Sequence, residues 1–234
     1  MIKQAWLSHI EADTQCFDAD RHALAAITST LEARGKHVLF RQAICDYLDA
    51  LSLDAHAAVL DLGCGTGIVA RAIARRDEVK ARITAIDSSP WLIEAAKHFA
   101  CGEGVAKRIR FLPGEPHWVI GPQAQFDVVI LHMLLNRVAD PGLVLKEVRR
   151  VLRPAGRVVV FDGNYDSLAR ATDSRSTDED VDNVSAMIKP LQERVMRAMP
   201  ALLAENGFRI EGSRAYAAAD TPCSFYTHIA RRCD

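Results

Sequence analysis

The chain has 234 residues, 49% of them apolar and 25% charged, the proportions of an ordinary globular protein long enough to bury a core. A net charge near −1 offers no basic field for nucleic acid. No apolar run approaches the roughly 20 residues of a membrane helix, so membrane insertion is not expected. Residues 1–10 contain Lys3, Gln4, Ser8 and His9 and lack the apolar centre of a signal peptide. The six cysteines are scattered without a Cys-x-x-Cys pair, which reads as free thiols in a reducing, cytoplasmic setting. Arg149, Arg150, Arg153 and Arg157 bunch at the end of an expected helix and read as a solvated face. The sequence leaves the oligomeric state open, a homodimer included.

Residues 1–56 read as a helical cap, in which Phe40, Ile44, Tyr47, Leu48 and Leu51 recur at helical spacing. Ala57–Leu62 is a short apolar run ending in glycines, the mark of a buried strand. A helix is expected over 68–76, a strand over 82–87, and a second helix over 90–100 with Ser89 as its cap and Pro90 at its first position. Strands are expected at 109–112 and 126–131. A helix from Asp140-Pro141 should end at Pro154-Ala155-Gly156, before a fifth strand at 157–162. Residues 166–183, rich in Ser, Thr and Asp, read as an exposed loop, and 184–206 as a helix kinked at Pro190. Two last strands, at 208–218 and 224–231, meet at Asp220-Thr221-Pro222 as a hairpin. Strands alternating with helices imply an α/β, Rossmann-like, doubly wound and mostly parallel sheet, here over 57–234, with a C-terminal antiparallel hairpin and an N-terminal helical cap.

Chemistry concentrates in the first half of that unit. Val59-Leu60-Asp61-Leu62-Gly63-Cys64-Gly65-Thr66-Gly67 is a strand, a glycine turn and a helix start, which lets a ligand approach the backbone closely and present an anion to helix N–H groups. Asp87 ends the next strand, 20 residues after Gly67. A carboxylate there accepts both hydroxyls of an adenosine ribose. These features fit a nucleoside cofactor and leave two classes open, because Gly65–Ala70 also matches the Gly-x-Gly-x-x-Ala dinucleotide fingerprint. Asp61 favours one of them. A fixed carboxylate repels a diphosphate and attracts a sulfonium and an ammonium.

With these residues in hand, 59–67 resembles the first motif of class I S-adenosylmethionine-dependent methyltransferases. Ala85–Leu92 resembles their ribose motif, and Phe111–Glu115 their third-strand motif, with Glu115 in place of the more usual Asp. Residues 126–138 and 152–156 resemble the fourth-strand and pre-fifth-strand motifs, with Ala155 where glycine is common. The likeness covers about residues 55–162 and is nearest to small-molecule enzymes of the ubiquinone/menaquinone type, with weaker support from 162–167 and 196–208. It implies S-adenosyl-L-methionine as cofactor, S-adenosyl-L-homocysteine as product, and cofactor contacts from Asp61, Gly63, Cys64, Gly65, Gly67, Asp87, Ser88, Leu92, Gly114, Glu115, Pro116, Leu131 and His132. It also implies a small-molecule methyl acceptor with an O, N or C nucleophile, and the cap as a lid.

Ligands of a doubly wound sheet sit beyond the carboxyl ends of its strands. His132 falls there and is the candidate catalytic base, or else a residue that only lines the cofactor. Asn164, Tyr165 and Asp166 are further candidates, and His37 and Tyr47 could close over a substrate from the cap. The related enzymes often carry histidine where this chain has Arg137. No ligand spacing asks for a metal. Two rival readings stay open: a protein that binds the cofactor without methyl transfer, and a nicotinamide-dependent oxidoreductase.

Overall fold

A computed structural model describes residues 24–77, 79–163, 197–217 and 224–234. Residues 24–36 form a first helix, α1. After it, α2 (Val38–Leu51) begins where the His37 imidazole accepts the Leu39 N–H at 3.3 Å. Its stripe of Phe40, Ile44, Tyr47, Leu48 and Leu51 is buried throughout, as the spacing requires.

The alternating segment then unfolds in register with expectation: β1 (Ala58–Leu62), α3 (Ile68–Ala74), β2 (Arg82–Asp87), α4 (Pro90–Gly102), β3 (Ile109–Pro113), β4 (Phe126–His132), α5 (Pro141–Val151) and β5 (Leu152–Gly163). Caps set the helix starts. Ser89 Oγ accepts from Leu92 N–H at 3.3 Å and Asp140 Oδ1 from Leu143 N–H at 3.1 Å, each followed by a proline whose missing N–H costs nothing at that position. Residues 197–205 form α6, and β6 (Phe208–Ala217) and β7 (Ser224–Arg232) form the closing hairpin.

The seven strands run in the order β3-β2-β1-β4-β5-β7-β6, parallel except for β7, which is antiparallel to both β5 and β6. Each sheet face buries its own core. One packs α2, α3 and α4 against residues such as Val59, Ile83, Ile130 and Phe161. The other packs α5 and α6 against Leu60, Leu62, Leu131 and Val160.

Two expectations need correction. The helix α5 stops at Val151, and Pro154-Ala155-Gly156 lies inside β5 as a bulge: Phe126 pairs with Leu152 and Val128 with Arg157, with Ala155 at φ 58° in between. The proline and glycine re-aim a strand there instead of ending a helix. The arginine run, half-exposed, is also more than a solvated face. Arg150 donates to Glu147 and to the Val119 and Gly121 carbonyls, Arg149 to the Cys233 carbonyl, Arg153 to Asp127, and Arg157 to the Leu51 carbonyl. These guanidiniums satisfy backbone carbonyls and carboxylates of neighbouring segments. The loop at 166–183, the Pro190 kink and the Asp220-Thr221-Pro222 turn lie outside the described residues.

Candidate active site

The glycine turn after β1 is held from both sides. Gly63 and Cys64 donate to the Ile86 carbonyl of β2 at 2.8 and 3.0 Å. Gly67, at φ 78°, starts α3 beneath α4, where an added Cβ would stand 3.0 Å from Phe111 and 3.2 Å from Ala96. Gly65, at φ 54°, is uncrowded, the nearest heavy atom to an added Cβ being Leu31 Cδ1 at 3.5 Å, an ordinary contact. So Gly67 is a packing glycine, and Gly65 is the one that leaves room for a ligand.

Asp87 completes the turn. Its Oδ2 accepts from Gly65 N–H at 2.8 Å and its Oδ1 from Ser89 N–H at 2.9 Å. Each oxygen keeps a lone pair for a further donor. Asp61 is 1% exposed, and its Oδ2 accepts from Ala70 N–H at 3.0 Å. Burial, aided by the nearby Asp87, raises its pKa from 3.8 to about 7 in spite of that hydrogen bond. Burial, Asp61 and Asp87 together push the Cys64 thiol well up, so it stays protonated and is no nucleophile. The Thr66 hydroxyl, 1% exposed, has no hydrogen-bond partner among the described residues.

These groups surround a cavity of about 470 Å³ at the carboxyl ends of β1, β2, β3 and β4. Of the residues singled out in the sequence, Asp61, Gly63, Cys64, Gly65, Asp87, Ser88, Leu92, Glu115, Pro116 and His132 line it. Gly67, Gly114 and Leu131 do not. Gly114 sits against Ile86, and Leu131 is fully buried in the core of the opposite face. His37 caps α2 and does not line the cavity, and Asn164, Tyr165 and Asp166 lie outside the described residues.

His132, at the end of β4, is stacked on Phe161 at 4.5 Å and 19°, with the edge of Phe40 at 5.7 Å. Its Nδ1 is 3.2 Å from the Tyr47 hydroxyl. Burial first, and Arg34 second, lower its pKa from 6.5 to about 3, so the ring is neutral at physiological pH. Sequence reasoning missed part of the wall: Leu31, Arg34 and Gly35 from α1, Thr66, and Met133 and Leu134 after β4. Thr66 was legible as the one hydroxyl inside the glycine turn. A single arginine on a helix carries no pattern.

The strand order and the reversed β7 depart from the all-parallel 3-2-1-4-5-6 sheet of nicotinamide enzymes. With a glycine turn, a buried carboxylate before it and a second carboxylate closing it, fold and site define the class I methyltransferase type. Residues 53–210 match the methyltransferase domain family, and the chain belongs to it. A ubiquinone biosynthesis O-methyltransferase of Aeromonas salmonicida is 35% identical over 102 residues, 44% of this chain and 41% of that protein. The chain thus spans well under half the length of curated relatives that it matches. A putative sarcosine dimethylglycine methyltransferase from Galdieria sulphuraria superimposes with a TM-score of 0.62 at 15% identity, over 82% of this chain and 85% of that one. The [4+2]-cyclase SpnF superimposes with a TM-score of 0.61 at 18% identity, over 82% and 80%. The fold alone therefore does not decide the reaction.

Proposed function

We propose that the protein transfers a methyl group from S-adenosyl-L-methionine to a small molecule. The observation that carries this is the pairing of Asp61 and Asp87 around an open glycine turn. Asp61 is a buried carboxylate poised near neutrality and drawn to a cation. Asp87 offers acceptors to ribose hydroxyls. The Thr66 hydroxyl, without a partner among the described residues, and the cavity wall at Gly65 fit the amino-acid end of the cofactor, with Arg34 as the cation for its carboxylate. Leu92, Glu115 and Pro116 fit the adenine. When bound, the cofactor supplies a methyl group already activated on a sulfonium.

The chain's own part is to bind, orient and exclude water. Phe40 and Phe161 fix the His132 ring at the wall where the acceptor enters. Residues 1–56 as cap and 57–234 as methyltransferase domain belong to this proposal, supported by the wall that α1 contributes. The free thiols Cys45, Cys64, Cys101 and Cys233 suit a reducing cytoplasm, and no helix among the described residues is long and apolar enough to cross a membrane. Calorimetric titration with S-adenosyl-L-homocysteine tests the cofactor. Micromolar binding by the wild type is expected, and preference for a nicotinamide dinucleotide would overturn the proposal.

A further inference from the structure

The hydrogen-bond count around His132 bears on what it can do. Tyr47 is 1% exposed, and His132 Nδ1 is the one hydrogen-bond partner its hydroxyl has among the described residues. Burial, with Asp61 as the next cause, holds the Tyr47 pKa well above 10, so the phenol keeps its proton. A buried hydroxyl proton needs an acceptor, and the Nδ1 lone pair is the one available. In a neutral imidazole the remaining proton then sits on Nε2. A flipped ring would bring Cδ2 to Tyr47 and leave the phenol without an acceptor. The stacking on Phe161 and the edge contact with Phe40 hold the ring as it stands.

The surroundings oppose the alternative. Among the described residues, the charged and titratable groups about this pair are Arg34 from α1, Cys45 from α2, Asp61 from β1, Tyr216 from β6, and Arg137, which lines the same cavity after β4. A proton taken by His132 would create an imidazolium in a buried place beside Arg34, which holds the ring pKa down.

We propose that His132 presents Nε2–H to the cavity as a hydrogen-bond donor, with Tyr47 as the positioning residue that fixes this tautomer, and that the methyl acceptor enters as an oxyanion. This rests on the methyltransferase reading for the acceptor, whereas the tautomer stands without it. An ionised oxygen needs no base. It uses its own electron pair on the methyl carbon, and the Arg137 guanidinium on the cavity wall, to which the cofactor reading gives no part, favours its charge. Carboxylates and acidic phenols meet this description; aliphatic alcohols do not.

The tautomer is read directly from the ¹⁵N shifts of histidine-labelled full-length protein, with His132→Gln assigning the resonance. Protonated Nε2 and unprotonated Nδ1 are expected between pH 5 and 8, with the preference weakened in Tyr47→Phe. Protonated Nδ1, or an imidazolium at pH 6, would overturn the proposal. The acceptor is probed by calorimetry on protein saturated with S-adenosyl-L-homocysteine, using 4-nitrophenol above and below its own ionisation. Binding should tighten about tenfold or more as the probe ionises. His132→Ala should lose about tenfold for the anion. His132→Gln should recover most of it, because its amide N–H reaches the position of Nε2–H, and His132→Asn should not. Equal binding of neutral and ionised probe, or no recovery with Gln, would refute the oxyanion site. Failure of S-adenosyl-L-homocysteine to bind would instead remove the cofactor reading and leave the NMR result intact.

Discussion

Replacing Asp61 by Asn should remove the pH dependence of cofactor binding. In the empty site the Asp61 pKa is about 7, whereas a cationic ligand binds the ionised carboxylate far more tightly than the neutral acid. The folded, ligand-free pKa is raised, the bound pKa is lowered again, and binding therefore expels a proton. Affinity strengthens as pH rises through 7 and weakens below it by about 1.4 kcal/mol per pH unit. The ionised fraction is about 0.03 at pH 5.5 and about 0.8 at pH 7.5, so the dissociation constant should differ about 25-fold across that range. Asp61→Asn cannot ionise. Its affinity should match the wild type near pH 5.5 and fall progressively behind it towards pH 7.5. Calorimetry with S-adenosyl-L-methionine, in two buffers of different ionisation enthalpy, measures the affinity and the proton released. Subtracting the variant's curve removes the contribution of other titrating groups that line the cavity. A wild-type affinity constant from pH 5.5 to 7.5, or an equal slope in the variant, would refute the reasoning.

Asp87→Ala should weaken cofactor binding at least about tenfold, since it removes up to two hydrogen bonds to a charged group, each worth roughly 1.5–3 kcal/mol; unchanged affinity by titration would sink the ribose role. Gly67→Ala should destabilise the fold by about 1–3 kcal/mol, combining a left-handed backbone with contacts at 3.0 Å to Phe111 and 3.2 Å to Ala96, and an unaltered urea midpoint would contradict this. Asp162, buried near the end of β5, has its pKa raised to about 7 by burial, so the stability it contributes at low pH is lost as pH rises from about 4 to about 7. The stability of wild type relative to Asp162→Asn should therefore decline over that window, and a rising difference would be incompatible. Turnover should survive EDTA, because a sulfonium methyl needs no Lewis acid; restoration by one specific metal ion after loss would expose a missed site.

The parts of the fold that were legible are those where one local rule acts alone. The buried run 58–62, the Ser89-Pro90 start and the stripe on α2 each follow from periodicity or capping within a few residues. At Pro154-Ala155-Gly156 the turn residues were read correctly as a break, but pairing between Phe126 and Leu152 had already begun a strand before them. No local signal carries that long-range contact. The stretch of cavity wall that Asp61, Gly65 and Asp87 form was legible because these residues lie on consecutive elements. The contact of Tyr47 with His132 was not, although each was a candidate by itself. Tyr47 and His132 are 85 residues apart, and the tautomer follows from a count of donors and acceptors that exists only once both are buried together.

The placement of β7 between β5 and β6 has a consequence for how the chain comes together. As residues emerge in order, β6 has no ladder partner and β5 shows an open, valine-rich edge until 224–232 are in place. Phe225 of that strand lies parallel to Phe161 at 5.5 Å, and Phe161 in turn carries the His132 ring. A growing chain can thus assemble its glycine turn well before the opposite wall is braced. Nascent or truncated forms lacking these nine residues would expose a sticky strand edge. They should aggregate or recruit chaperones during synthesis, even if they already retain nucleoside.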